Sequence, residues 1–153
     1  MGGARPPHTY LGVARAILPG IKRLTEPEPE SPISIALLAA HALECLLKAF
    51  LSRDGSDARL RKHDIRHNLV ALWSLAVEEG LPIAKQPPYW VDKLGALHRK
   101  PYYLRYAEGI NGIVLPPLRS IPAEFDILLS LVQQVVQNPG WTPNTSVEPI
   151  CGN

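Results

Sequence analysis

Residues 32–51 read PISIALLAAHALECLLKAFL, and this stretch decides the fold. At about 100° per residue it is apolar nearly all the way round, the mark of a helix buried on every side rather than one with a single wet face. Ser31-Pro32 opens it, a capping residue followed by proline in the first turn, and the loop chemistry of Arg53-Asp54-Gly55-Ser56-Asp57 closes it after Ser52. His41, Glu44 and Lys48 interrupt the run, so a membrane span is not expected. A helix of this kind needs other helices around it.

The flanking sequence supplies them. Upstream, an amphipathic segment runs from about Thr9 to Leu18, meets Pro19-Gly20, and resumes briefly through Ile21 and Leu24. The acidic TEPEPESP that follows reads as a linker, because positions before proline resist helix. Downstream, a third helix is expected from near Asp64 to Gly80, with Ile65, Leu69, Leu72, Trp73 and Ala76 on one face and Gly80 as its C-terminal cap. A fourth is expected over Tyr89–His98, then an irregular stretch from Arg99 to Ser120. A fifth, Pro122–Gln137, carries Phe125, Leu128, Leu129, Val132, Val135 and Val136 inward. With no repeat and no convincing strand pair, the fold class is all-α, an up-and-down bundle of four to five helices. Residues 1–30 belong to the same domain as an N-terminal helix and linker, 31–138 form the core, and 139–153 make a loose tail.

Composition agrees with one bundle. A chain of 153 residues, 46% of them hydrophobic, can bury a core without staples, which excludes a disordered chain. Two cysteines, Cys45 in the apolar helix and Cys151 near the end, exclude a disulfide scaffold. The 16 prolines stand in linkers, at helix openings and in the long loop, so they mark boundaries. A net charge of +2 is too small to argue for nucleic acid from the global field, and only local clusters can do so. The N-terminal MGGARPPH lacks the apolar run of a signal peptide, and the expected location is cytoplasmic.

Three polar clusters carry the chemistry. On the apolar helix, Ser34, His41 and Lys48 stand seven residues apart with Glu44 among them, in a stripe about 80° wide. Four aligned polar groups on a buried helix need a polar partner, a groove or another subunit, since leaving them unpaired costs several kcal/mol. A self-satisfied network, with Glu44 pairing Lys48 and His41, and a ligand site are both consistent with this. The second cluster, Arg61 to Asn68 (RKHDIRHN), crowds Arg61, Lys62, His63, Arg66 and His67 at a helix start. A solvated basic helix start and a ligand site are both consistent with it, and for a ligand a phosphate-bearing one is favoured over a metal. The face carrying His63 and His67 continues as Val70, Ser74 and Val77, too apolar for full solvation, so a second packing surface such as a dimer interface is expected. The third cluster, LHRKPYYLRY, interleaves His98, Arg99, Lys100 and Arg105 with Tyr102, Tyr103 and Tyr106. Its tyrosines can pack on the bundle, or can stack bases while the cations neutralise phosphate.

The run ALLAAHALECLLKAFLS, a short loop and KHDIRHNLVALWSLAVEEGL together resemble the HEPN superfamily of small helical bundles, over about Ile33 to Leu81 and toward Arg105-Tyr106. In that superfamily an apolar helix with a His/Glu/Lys stripe is followed by a helix opening on a His-Asp-Leu-like turn, matched here at His63-Asp64-Ile65. The resemblance implies a homodimer, and a nucleotide- or RNA-associated module of a toxin–antitoxin, defence or stress-response system. A cognate nucleotidyltransferase or antitoxin is an implied partner. The ligand-binding residues on this reading are His41, Glu44, Lys48, Asp64, Tyr102, Arg105 and Tyr106. The alternative that the resemblance implies is a metal-independent endoribonuclease using Arg61 and His67, with His63 and Arg66 contributing. Lys62 stands directly after Arg61, where the family's motif prefers a small polar residue. In such chemistry His67 transfers the proton and Arg61 grips the phosphate, in a cleft shared by two protomers. No cofactor and no metal are expected.

Overall fold

A computed structural model describes residues 3–99, 102–106 and 114–143. Five helices and one short 3-10 turn make up the described chain: α1 (His8–Thr25), α2 (Pro32–Leu51), the 3-10 turn Ala58–Arg61, α3 (Leu69–Glu78), α4 (Tyr89–His98) and α5 (Ile121–Gln137). There is no strand among the described residues, and the fold is an all-α bundle.

α2 is the axis. It packs against α1, α3, α4 and α5, while α1 also meets α5 and α3 meets α4. Every residue from Ala42 to Leu51 is buried, including Glu44 and Lys48. By length and mean hydropathy (1.7 over its most apolar window) α2 could cross a bilayer, but 72% of that window is already buried in the bundle. Surrounding helices take the place that lipid would take, which accounts for its composition.

The helices begin and end for reasons visible at their termini, and several differ from expectation. α1 continues unbroken through Pro19, because Leu11, Ala14, Leu18, Ile21 and Thr25 stay in phase on the buried face across it. Packing against α2 offsets the hydrogen bond that proline removes, and Pro19 itself points to solvent. Ser31 does not cap α2: it has φ 52, and its hydroxyl pairs with that of Ser34 at 2.6 Å. α3 begins five residues later than expected. Residues 62–67 form turns, and the cap is Asn68, whose Oδ1 accepts from the Ala71 amide at 3.1 Å. The helix-opening triplet is therefore His67-Asn68-Leu69, not His63-Asp64-Ile65. Its far end matches expectation: Gly80 (φ 95) closes a Schellman motif, with Leu81 N–H donating to Ala76 and Gly80 N–H to Val77.

α4 spans the residues read from the sequence, and α5 begins one residue earlier. The face of α3 beyond the core is partly covered from within the chain, since Val70 lies against Gly95 of α4: a Cβ on that glycine would meet Val70 Cγ2 at 3.4 Å. Part of the expected loose tail is held, because Trp141 packs edge-on against Phe50 at 5.6 Å. Residues 144–153, with Cys151, lie outside the described residues, as do Lys100 and residues 107–113.

Candidate functional site

Glu44 is the centre of the site. Its carboxylate is fixed on the buried face of α2 and receives donors from three separate elements. Lys48, one turn on, gives Nζ to Oε1 at 2.7 Å. His98, the last residue of α4, gives Nε2 to Oε2 at 2.6 Å, and His67, in the turn before α3, presents Nδ1 at 3.2 Å. The side chains of Lys48 and Glu44 are 8% and 7% exposed, that of His98 1%, and that of His67 31%. Burial pushes the Glu44 carboxyl upward, but the His98 hydrogen bond and the adjacent Lys48 charge outweigh it and bring the pKa down to about 2.

An ionised carboxylate can only accept, so it dictates how both imidazoles are protonated. His98 carries its proton on Nε2 and His67 carries one on Nδ1. Neutral His67 thus has its lone pair on Nε2, away from Glu44. The half-exposed His67 ring lines a cavity of about 250 Å³ together with His63, Asp64, Asn68, Arg99 and Tyr102. Tyr102 meets the His67 ring edge-on at 5.9 Å, Tyr106 meets Tyr102 at 6.3 Å, and the Arg105 guanidinium lies over the Tyr102 ring at 5.9 Å. Hydrogen bonds tie this segment to the end of α4: Tyr102 N–H to Arg99 at 2.7 Å and Leu104 N–H to Leu97 at 3.4 Å. Tyr102 holds a left-handed backbone, φ 64, beside the cavity.

The structure brings together Glu44, Lys48, His67, Tyr102, Arg105 and Tyr106, with His63 and Asp64 on the cavity wall. It separates others. Arg61 lies in the 3-10 turn and donates to Asp57 at 2.9 Å, while the other oxygen of Asp57 accepts from the Tyr10 hydroxyl at 2.7 Å. Arg61 does not line the His67 cavity. Arg66 is exposed and has no ion pair among the described residues. His41 is half-buried and makes no hydrogen bond to Glu44; burial lowers its pKa, with Glu44 pulling the other way. Of the self-satisfied network anticipated on α2, the Glu44–Lys48 pair is present, and His67 and His98 take the place given to His41.

His98 and Arg99 belong to the third sequence cluster but not to the expected ligand-binding or catalytic sets, and Asn68 belongs to neither set. His98 was legible: Val91, Leu94, Gly95 and His98 follow the spacing of the buried face of α4. An imidazole on that face needs a polar partner, and α2 offers a single carboxylate.

Glu44, His67 and His98 place three potential metal-ligand atoms within 4.8 Å of one another. Lys48 opposes metal there, because its ammonium already occupies Oε1 and balances the carboxylate, so a dication would leave uncompensated charge in the core. A larger cavity, about 350 Å³, lies beside the end of α2 and is lined by Arg53, Arg59, Glu79 and Trp141 among others. Its guanidinium groups are taken up by Glu79 and by the carbonyls of Phe50 and Leu51. It is a clasp on the helix terminus, whereas the smaller cavity holds the reactive groups. No protein-family model, curated protein or solved structure matches this chain.

Proposed function

We propose that this protein is a HEPN-like binding module that takes a nucleotide or RNA in the cleft beside His67. The observation that carries this reading is the Glu44–His67 hydrogen bond, which aims a half-exposed imidazole into a cavity with a second histidine, an arginine and a tyrosine on its walls. Guanidinium donors suit phosphate oxygens, the Nε2 lone pair of neutral His67 can accept from a ribose hydroxyl, and the Tyr102–Tyr106 pair offers aromatic faces to a base. With the HEPN resemblance, this favours a dimeric cytoplasmic component of a toxin–antitoxin, defence or stress-response system. Its partner in such a system is a cognate nucleotidyltransferase or antitoxin. Titration of a short fluorescein-labelled single-stranded RNA, followed by anisotropy at low salt, and thermal shift across a nucleotide panel test it. Saturable binding that His67→Gln weakens supports the reading; no response from any nucleotide or RNA refutes it.

One observation favours metal-independent RNA cleavage as a second reading. A carboxylate on Nδ1 leaves Nε2 to take the 2′-hydroxyl proton and stabilises the imidazolium that forms. Cleavage that persists in EDTA and vanishes in His67→Ala, with circular dichroism unchanged, selects this reading. Binding without turnover leaves the first.

A further inference from the structure

We infer that Arg99, rather than Arg61, is the side chain that grips a phosphate of the bound nucleotide or RNA. The inference rests on the reading of the His67 cleft as a nucleotide or RNA site and names the group that gives the site its anion selectivity.

Of the arginines in this region, Arg61, Arg66 and Arg105 do not line the His67 cavity, whereas Arg99 does. Arg61 is the one suggested by its spacing from His67, but its guanidinium is engaged by Asp57, which Tyr10 in turn steadies. Its geometry serves the junction between α1 and the 3-10 turn. Arg99 is exposed, has no ion pair among the described residues and lines the cavity that His67 enters. It also lines a second hollow of about 270 Å³ over α3 and α4, and Asn68 belongs to both walls. Arg99 thus stands where the two hollows meet, on the same cavity wall as His67.

The placement is fixed from beneath. Arg99 follows His98 directly, and His98 is locked onto Glu44, the same carboxylate that aims His67. The Arg99 N–H donates to Gly95, and the Arg99 carbonyl accepts from Tyr102, so its backbone is held on both sides. One buried carboxylate therefore anchors both the His67 imidazole and the end of α4 from which Arg99 projects. An arginine fork can engage two oxygens of a phosphodiester, while the Nε2 lone pair of neutral His67 accepts from a neighbouring ribose hydroxyl. Tyr102 and Tyr106 continue from the same wall, so a nucleotide bound by its phosphate at Arg99 has aromatic surface available to its base.

The test compares Arg99→Gln, Arg61→Gln and, as a control for net charge, Arg23→Gln on the exposed side of α1. Each is titrated with the labelled single-stranded RNA at several salt concentrations. Arg99→Gln is expected to weaken binding at least about tenfold and to flatten the salt dependence by about 0.7, the share of one phosphate contact. Arg61→Gln and Arg23→Gln are expected to lose much less. Equal losses across the three variants, or a larger loss in Arg61→Gln, overturn the inference and leave the cleft's function standing. Failure of the wild-type protein to bind overturns both. Arg99 is exposed, so its variant is expected to melt with the wild type; a drop in melting temperature that parallels the binding loss also counts against a direct contact.

Discussion

Removing the negative charge of Glu44 tests the centre of the structure. In Glu44→Gln the shape is kept, but Lys48, 8% exposed, is left as a buried ammonium without its counter-ion. The amide has one oxygen where the carboxylate had two, so it cannot serve Lys48, His98 and His67 together, and its own N–H groups face donors. Breaking one partner out of a buried pair costs about 3–5 kcal/mol. For a domain near this size that corresponds to a melting-temperature loss of about 6–20 °C. Lys48→Met is expected to cost less, because the two imidazoles still donate hydrogen bonds to the carboxylate. The double variant removes the stranded charge and should recover part of the loss, so that it is more stable than Glu44→Gln alone. Urea denaturation followed by circular dichroism, with unchanged m-values, supplies the three free energies of the cycle. A loss below about 1 kcal/mol in Glu44→Gln, or a double variant that simply adds the two single losses, refutes the claim that this is a coupled buried network.

Three further outcomes follow from other particular contacts. The folded-state pKa of Glu44, about 2 against an ordinary 4.5, makes its contribution complete above pH 4.5 and lost as pH falls from there through about 2. Denaturation across that window should show the wild type losing on the order of 3 kcal/mol more than Glu44→Gln, which lacks the titrating group. Gly80→Ala should destabilise by about 1–3 kcal/mol in urea, since it forces a side chain into a left-handed turn. Its Cβ would also fall 2.5 Å from Pro143 Cβ. Asn68→Ala removes the cap of α3 and should cost about 1 kcal/mol by the same measurement, with Asn68→Ser restoring most of it.

The bundle was legible because α2, α4 and α5 carry signals that agree: period, proline at the opening and a breaker at the end. α1 and α3 show where local signals mislead. Pro19-Gly20 is a breaker by composition, yet the apolar phase crosses it intact, and burial against α2 decided the outcome. In RKHDIRHNL two His-polar-apolar triplets lie four residues apart, and composition does not distinguish them. The difference lies in Asn68, whose side chain reaches the Ala71 amide. The stripe on α2 was visible as a periodicity, and the Glu44–Lys48 pair followed from i,i+4 spacing. Its long-range partners were not visible, because a hydrogen bond between residues 44 and 98 depends on how α4 crosses α2.

This long-range bonding bears on why a charge should sit in the core at all. Buried ion pairs are weak devices for stability, since apolar residues of similar volume often do as well or better. Ser34, earlier on the same stripe, is satisfied locally by Ser31 and needs nothing from elsewhere. Glu44 instead binds Lys48 on its own helix, His67 in the turn before α3 and His98 at the end of α4. An apolar core would pack these elements without fixing the rotation of any ring. A carboxylate with directional acceptors fixes two, and one of them faces the cleft. The arrangement gains orientation at a cost in desolvation: it specifies how the turn before α3 and the end of α4 sit on α2, and it is the orientation that the proposed binding cleft requires of His67.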